Sequence, residues 1–301
     1  MQAGGRNIVV SGRAIRTARI DGDGFRFLED PETLLAELCR SGSRIDLFSF
    51  LQRLPDSTPR YRYPMEWDNV AALEVKSYDH WWNETIGFKA RNKAKQAEKR
   101  GVVLCEVPFD ESLVHGISEI YNETPIRQGR KFFHYGKTLE TVRRQASTFL
   151  DCSVFLGAFL ENQLIGFAKL TIDETRIQAG LMHIISMIKY RDKAPTNALI
   201  AHAVRACANR GIRYLVYANF AYGNKTHDSL SDFKERNGFL RIDMPRYYIP
   251  LTTAGRCALR LGLHRSLHHH LPEGFIAAYR KYRAAWYSRR YGLSAAAGAG
   301  F

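Results

Sequence analysis

Residues 153–211 read SVFLGAFLENQLIGFAKLTIDETRIQAGLMHIISMIKYRDKAPTNALIAHAVRACANRG, and this stretch decides the fold. Its first part holds two apolar runs, 153–160 and 164–172, on either side of the polar segment 161–163. Two such runs joined by a short polar connection predict a β-hairpin.

The second part of the stretch continues with a longer apolar run and then changes from a strand pattern to a helical pattern. The run 177–188 predicts a long strand. Pro195 is typical of the first turn of a helix, and Gly211 is typical of the residue just past a helix end. The stretch therefore predicts a hairpin, a long strand and a helix in direct succession.

Alternating strands and helices continue on both sides of this stretch. Helices are predicted at 111–121, 139–149 and 229–237, and strands at 102–107, at 213–218 and, as a pair turning at Pro245, at 239–251. This order predicts a mixed α/β domain over about 101–251.

The N-terminal part is richer in strand patterns. Strands are predicted at 13–20 and 25–28 around an Asp-Gly turn at 21–24, and further strands at 45–51 and 71–75, with a helix at 31–40. A helical pattern at 79–100, broken near Gly87, ends at Gly101. We expect a strand-rich subdomain at 1–85, the main domain at 86–252 and a basic helical tail at 253–301, the last residues of which are disordered.

The chain carries a formal net charge of +14, and two segments hold most of the excess. Residues 86–100 hold six Lys or Arg against one Glu, and residues 253–301 hold eight against one. Clustered positive charge favours an anionic partner such as RNA, an acidic carrier protein, a membrane surface or a phosphorylated substrate. The alternative is a set of solvated faces that serve solubility.

The sequence also bounds the compartment and the metal chemistry. It holds no run of roughly 18 apolar residues and no N-terminal secretory pattern, so we expect a cytoplasmic protein. Five scattered cysteines offer no CxxC spacing, and no metal site is predicted. The adjacent histidines at 268–270 are interpreted as part of a solvated basic tail.

Three local motifs resemble the GNAT acetyltransferase fold and, within it, the FemAB-like branch. They are the basic segment KARNKAKQAEKRGV at 89–102, the hairpin with FLGAFL at 155–160 and GFA at 166–168, and FKERNGF at 233–239 followed by PRYY at 245–248. The resemblance covers about 65–251. Because FemAB proteins carry two GNAT-like subdomains, it implies that 1–85 is a reduced N-terminal copy.

The resemblance implies a donor site at the start of the helix that follows the long strand. GNAT enzymes bind the pyrophosphate of acyl-CoA there through backbone N–H groups, in a pattern Q/R-x-x-G-x-G/A. This chain has RDKAPTN at 191–197, so the expected donor-binding residues are Arg191, Lys193, Ala194, Thr196 and Asn197. The two glycines are replaced and Pro195 has no N–H, so a helix start that binds nothing is the alternative.

Amine acylation needs a base, a group that stabilises the oxyanion and an acid for the leaving group. The FK element implies Lys234 as the oxyanion group, with a surface lysine paired to a carboxylate as the alternative. Tyr222 is the candidate acid or a structural tyrosine. His183, in the strand where GNAT sheets open, and His227 are further candidates, whereas Asp228 is interpreted as an N-cap.

The loop 122–136 usually forms the acceptor wall in this fold. Its cations and aromatics, Arg127, Arg130, Lys131 and Tyr135, suit an acceptor that bears phosphate or carboxylate. A flexible surface loop is the alternative. The tail aromatics at 279–287 are expected to dock on the domain, while stacking on RNA or contact with an anionic membrane stay open.

Three functions follow from these observations. The first is an N-acyltransferase that moves an acyl group from acyl-CoA or an acyl carrier protein to a small-molecule amine. The second is a FemAB-type transferase with aminoacyl-tRNA as donor. The third is a non-catalytic RNA- or protein-binding module on the same scaffold. No tightly bound cofactor is expected, and the sequence indicates no oligomeric state.

Overall fold

The computed structural model describes residues 1–127, 129–222, 228–265 and 273–290 of the chain. The strands are β1 (Gln2–Ala3), β2 (Arg6–Ser11), β3 (Thr17–Ile20), β4 (Leu47–Leu51), β5 (Met65–Glu74), β6 (Val103–Val107), β7 (Ile126–Arg127), β8 (Arg130–Lys131), β9 (Ser153–Leu160), β10 (Gln163–Ile172), β11 (Gln178–Ser186), β12 (Tyr214–Val216) and β13 (Leu240–Pro250).

The helices are α1 (Pro31–Arg40), α2 (Tyr78–His80), α3 (Phe88–Lys99), α4 (Glu111–Asn122), α5 (Leu139–Ala146), α6 (Pro195–Asn209), α7 (Ser229–Arg236), α8 (Thr253–Arg260) and α9 (Glu273–Arg290). A π-helical turn, Trp81–Thr85, follows α2, and a 3-10 turn, Ile188–Lys193, precedes α6. None of the helices in the described ranges combines the length and apolar character needed to cross a bilayer.

All strands except β7 and β8 lie in one mixed sheet. Its order is β1-β2-β3-β4-β13-β5-β12-β11-β10-β9-β6, and β7 pairs with β8 in a separate ribbon. Most neighbours are antiparallel, but β11 with β12 and β3 with β4 are parallel. The mixed α/β class predicted from the sequence is confirmed.

Helices cover both faces of the sheet. α3 and α6 pack on one face, where Ala90, Ala94 and Ala97 let the two helices approach closely. Along β5 and β12, side chains alternate between the two faces, so that Ala71 and Leu215 join the α6 side while Val70 and Val216 face away. α4 and α5 pack on that second face further along the sheet, around Phe155 and Phe167.

Two predicted elements are wrong. The segment at 25–28 is irregular, although Phe25 and Phe27 are buried, because it crosses the sheet face and pairs with no strand. Pro245 lies inside β13 and makes no turn, pairing in register with Trp67. Its carbonyl accepts from Gln52 N (3.0 Å), but proline has no N–H to return the bond, so the one ladder bond that is lost lies at the end of the β4–β13 pairing.

The N-terminal strands are not a separate sheet. β4 pairs with β13, and β13 pairs with β5, so residues before and after position 85 share one set of hydrogen bonds. β5 lies between β13 and β12 in the middle of the sheet. The predicted boundary at 85 therefore separates strands that are neighbours in one sheet.

Candidate active site

The sheet opens between β11 and β12. The two strands pair only from Gln178–Tyr214 to Gly180–Val216. Beyond that point β11 stays with β10 as far as Ser186, whereas the chain after β12 stays with β5 through Tyr217 N to Ala71 O (2.7 Å). The carboxyl ends of two parallel strands thus separate, which is where open α/β sheets place ligands.

One side of the opening is the turn that leads from β11 into α6. Arg191, Lys193, Ala194, Thr196 and Asn197, predicted as donor-binding residues, all lie in this turn or in the first turn of α6. Backbone N–H groups in a first helical turn lack an intrahelical acceptor and attract anions.

Ala194 takes the left-handed conformation (φ 54°) that glycine adopts most easily. The backbone geometry that a glycine would favour is therefore present although the glycine is not. Ser186 Oγ and Thr196 Oγ1, 2.8 Å apart, tie the end of β11 to the first turn of α6. Pro195 occupies the first helical position, where a missing N–H costs no helix bond.

The basic helix α3 packs against this turn. Gln96 Nε2 and Arg100 Nη1 both donate to the Asp192 carbonyl, at 2.9 and 2.7 Å, and Arg100 also pairs with the Asp192 carboxylate. Lys89 and Lys93 are exposed on the same helix. Cations from α3 and from the turn therefore flank one helix N-terminus.

The other side of the opening holds Lys234 of α7, which is fully buried. Its ammonium donates to the Asn219 carbonyl and lies 4.7 Å from the Tyr217 ring centre and 4.9 Å from that of Tyr222. Burial lowers the pKa of Lys234 to about 8, against a weaker opposing effect of Asp228. The alternative of a surface lysine paired to a carboxylate is wrong.

Tyr222 lies beside Lys234 and is half-exposed (48%). Burial of its hydroxyl, with the charge of Asp228, raises the pKa of Tyr222, so the phenol keeps its proton at neutral pH. Asp228 caps α7 by accepting from Leu230 N (3.0 Å) and Ser231 N (2.9 Å). That confirms its interpretation as an N-cap, whereas His227 lies outside the described residues.

His183 lies away from this group. It stands on β11 opposite Lys169 of β10, with its ring 6.0 Å from the His134 ring. Burial, with the charge of Lys169, lowers the pKa of His183 to about 4, and burial lowers that of His134 to about 4 as well. The pair is neutral at physiological pH and no described contact joins it to Lys234.

The four residues predicted for acceptor binding divide into two kinds. The Arg127 guanidinium donates to the carbonyls of Ser186 (2.9 Å) and Ile120 (3.0 Å) and pairs with Glu123, so it is built into the fold. Arg130, Lys131 and Tyr135 are exposed. Arg130 and Lys131 form β8, which contacts α9, the helix of the basic tail.

Three of the tail aromatics are exposed, whereas Tyr287 is half-buried. Tyr279, Tyr282 and Trp286 of α9 expose 56, 72 and 42% of their surface. They recur every three or four residues and thus lie along one helix face. The expectation that these aromatics dock on the domain is wrong for these three residues.

A cavity of about 260 Å³ adjoins the opening on the sheet face away from α6. Asn219 links it to Lys234, because the residue lines the cavity and its carbonyl accepts from the Lys234 ammonium. Deep in the cavity lies Arg246, which pairs with Asp23 (2.5 Å) and Asp68 (2.9 Å). All three side chains are largely buried.

Sequence reasoning missed this cavity. Asp23, Asp68 and Arg246 are far apart in the chain, and Asp23 was interpreted only as a turn residue. The one available signal was the PRYY motif at 245–248, which contains Arg246. Gln178 and Asn219 carry no recognisable local pattern.

No family model and no curated protein matches this chain. Solved structures do. FemX aligns with TM-score 0.56 at 11% identity, over 85% of this chain and 86% of FemX. L-PGS from Bacillus licheniformis aligns with TM-score 0.55 at 13% identity, over 85% of each chain. The C-terminal DUF2156 domain of an Agrobacterium fabrum protein aligns with TM-score 0.56 at 10% identity, over 84% of this chain and 83% of that one.

These similarities establish the fold. They extend over most of this chain and most of each compared chain. The GNAT-like fold with FemAB-like relatives that the motifs at 89–102, 155–168 and 233–248 imply is therefore confirmed.

Proposed function

We propose that the protein is an acyltransferase that moves an acyl group from a phosphate-bearing activated donor to an amine. The observation that carries the proposal is the opening between β11 and β12. One of its sides presents a helix N-terminus among cations, and the other presents a buried lysine with a lowered pKa. A donor phosphate fits the first side, and a reacting carbonyl fits the second.

The chemistry assigns a role to each side chain. A neutral amine attacks the acyl carbon, the new C–N bond forms, and the carbonyl oxygen becomes an oxyanion. Lys234, still mostly protonated at neutral pH with a pKa of about 8, stabilises that oxyanion. The bond to the leaving group then breaks, and Tyr222 gives its proton to the departing thiolate or alkoxide; the proton that the attacking amine loses then restores the Tyr222 phenol.

The preferred donor is an acyl thioester, acyl-CoA or an acyl carrier protein. The turn 191–197 supports it, because Ala194 adopts the conformation of the replaced glycine and the amides of Thr196 and Asn197 lie in the first turn of α6. The phosphates of CoA bind backbone N–H groups, so the backbone geometry of the turn matters more than the identity of a side chain.

Aminoacyl-tRNA is the second candidate donor, and α3 is the observation that favours it. Its exposed lysines extend the cations of the α6 turn into a broader surface than one pyrophosphate needs. A polynucleotide backbone matches such a surface, and its binding would weaken steeply with salt.

Thermal melting with candidate donors tests the proposal. CoA, acetyl-CoA, longer acyl-CoAs and tRNA are added separately, and a ligand at a hundred times its Kd stabilises by about 2.7 kcal/mol. The shift should shrink in Lys193→Ala and persist in Arg40→Ala, a surface cation on α1 at the far end of the sheet. If no donor shifts the melting temperature, the chain is a binding module on this scaffold and the proposal is wrong.

A further inference from the structure

The 260 Å³ cavity beside the opening is lined by a buried residue whose hydrogen-bond acceptor has no donor among the described residues. Gln178 is 3% exposed and lines the cavity. Its Nε2 donates to the Gly24 carbonyl (3.0 Å), which fixes the orientation of the amide because a carbonyl oxygen only accepts. Gln178 Oε1 then has no donor in the described part of the chain. Leaving a buried acceptor unpaired costs about 1–3 kcal/mol, so this oxygen favours a ligand that donates.

Negative charges outnumber positive charges among the described residues that line the same cavity. Among its described lining residues, Asp23 and Asp68 are carboxylates and Arg246 is the cation. Their side chains are 11, 21 and 12% exposed, so a net charge of −1 lies in a poorly solvated place. Burial without full compensation is expensive, and a ligand with a positive charge would relieve it. This acidic cavity belongs to a chain whose overall charge is +14.

A second cavity continues this pattern. It measures about 420 Å³ and shares Phe25 and Phe27 with the first, so the segment 23–28 separates the two. Its charged lining residues are Glu29, Asp30, Asp173 and Glu174 against Arg6 and Arg53. Both cavities therefore have more carboxylates than cations among their described lining residues.

We propose that these cavities bind the acceptor as an organic diamine or polyamine. The inference rests on the proposed transfer and names its acceptor. One ammonium group donates to Gln178 Oε1 and neutralises the Asp23–Arg246–Asp68 group, while a second amine of the same molecule, unprotonated, reaches the acyl carbon beside Lys234. The first cavity is smaller than the roughly 300–1,000 Å³ of drug-sized sites, which suits a slender aliphatic amine.

This acceptor differs from the one predicted from the loop 122–136. Cations there predict an anionic acceptor, but Arg127 is bound to backbone carbonyls and Glu123. The acidic lining belongs instead to Asp23 and to Asp68 of β5, while β13 and the start of β11 contribute Arg246 and Gln178. An amine acceptor in its resting ammonium form matches that lining by charge and by hydrogen bonding.

Calorimetric titration in the absence of any donor tests the inference. The ligands are butane-1,4-diamine, butan-1-ol as the uncharged match, and tetramethylammonium as a cation without N–H donors. We expect the diamine to bind, the alcohol not to bind, and tetramethylammonium to bind at least tenfold more weakly because it has nothing to donate to Gln178. An amino acid amide is titrated as well, since tighter binding of that compound than of the diamine would assign the cavity to an aminoacyl group and overturn the acceptor assignment.

Two substitutions at one position separate the ligand contact from folding. Gln178→Met removes the acceptor at similar volume and should weaken diamine binding about tenfold, which corresponds to about 1.4 kcal/mol. Gln178→Glu keeps an acceptor, adds a negative charge and should bind the diamine at least as tightly as the wild type. Glu106→Gln, a carboxylate on the edge strand β6, is the matched control and should change nothing.

Equal binding of diamine and alcohol, or unchanged diamine binding in Gln178→Met, would overturn the inference and leave solvent as the partner of Gln178 Oε1. Neither result depends on transfer activity. Diamine binding without any donor binding would instead keep the amine site and contradict the proposed transfer.

Discussion

Two lysines of this molecule are equally buried and have opposite surroundings. Lys169 of β10 and Lys234 of α7 are both 0% exposed, and burial lowers the pKa of each to about 8. The Lys169 ammonium donates to the carbonyls of Ala146 and Thr148, and the Thr148 hydroxyl lies 3.3 Å away. It thereby caps the C-terminus of α5, where a positive charge is favoured.

Among the described residues, the Lys234 ammonium has one such partner, the Asn219 carbonyl, and otherwise meets the faces of two tyrosine rings. An ammonium has three donors, and aromatic faces attract its charge without holding its N–H groups in one direction. Lys169 therefore stabilises the fold with all its donors, whereas in the proposed function Lys234 donates to an oxygen that gains negative charge during the reaction. Burial and a lowered pKa do not distinguish the two roles, but the hydrogen-bond partners do.

The largest expected effect is on turnover in Lys234→Met. Removing a group that stabilises an oxyanion lowers kcat by about 10²- to 10³-fold. The free energy of unfolding should change by only about 1 kcal/mol, since one hydrogen bond is lost and one buried charge is removed. Initial rates with the donor found by melting, together with urea unfolding, measure both quantities.

The control for Lys234→Met is Lys76→Met, which removes an exposed lysine between β5 and α2 and should keep wild-type turnover. Wild-type turnover in Lys234→Met would show that Lys234 stabilises no oxyanion, and the comparison with Lys169 would lose its meaning.

Lys169→Met should instead lose stability and keep its turnover. Two buried carbonyls and a hydroxyl lose their donor, which lowers the free energy of unfolding by about 3 kcal/mol. The variant that remains folded should turn over at close to the wild-type rate. Urea unfolding monitored by circular dichroism measures the loss, with Lys189→Met, an exposed lysine, as the control. A stable but inactive Lys169→Met would instead place Lys169 in the reaction.

The smallest effect is a shared pH dependence of stability. Each lysine has a pKa of about 8 in the folded chain, below the ordinary lysine pKa of 10.5, so between these values the unfolded chain binds a proton that the folded chain does not. The free energy of unfolding therefore rises with pH in this window, by up to about 1.4 kcal/mol per unit for each lysine. Below pH 8 both states are protonated and the cost of the buried charge is constant.

Each Lys→Met variant should show a shallower rise than the wild type between pH 8 and 10, and by similar amounts. Their activities should differ: kcat of Lys169→Met should fall above pH 8 as in the wild type, because Lys234 loses its proton there. Parallel stability curves in wild type and either variant would contradict the lowered pKa of the lysine concerned.

Local patterns predicted the parts of the fold that local sequence determines. The hairpin β9–β10, the strand β11 and the helix α6 follow from apolar runs, from Pro195 and from Gly211, which has φ 66°. α1 matches its predicted bounds because Asp30 caps it by accepting from Glu32 N and Thr33 N. β2 was missed although Ile8, Val9 and Val10 are β-branched, because the apolar run is short and only Ile8 is buried.

The candidate site was predictable on its α6 and α7 sides only. Those residues belong to contiguous segments, 191–197 and 233–239, which a motif can represent. The cavity is different, because Asp23 and Arg246 are separated by 223 positions and meet only when β13 has joined β4 and β5. No residue pattern within one segment carries that information, so an acidic acceptor site was out of reach of sequence reasoning.

The place of β13 has a consequence for how the chain is made. It is the last strand of the sheet, and it inserts between β4 and β5, two strands formed from the first 74 residues. β4 and β5 leave the ribosome early, but β13, which pairs with both, is complete only when residue 250 has been synthesised. β4 therefore waits with one unpaired edge for most of translation, an edge open to other chains. Chaperone demand during synthesis, and aggregation of fragments that stop before position 240, follow from this order of assembly.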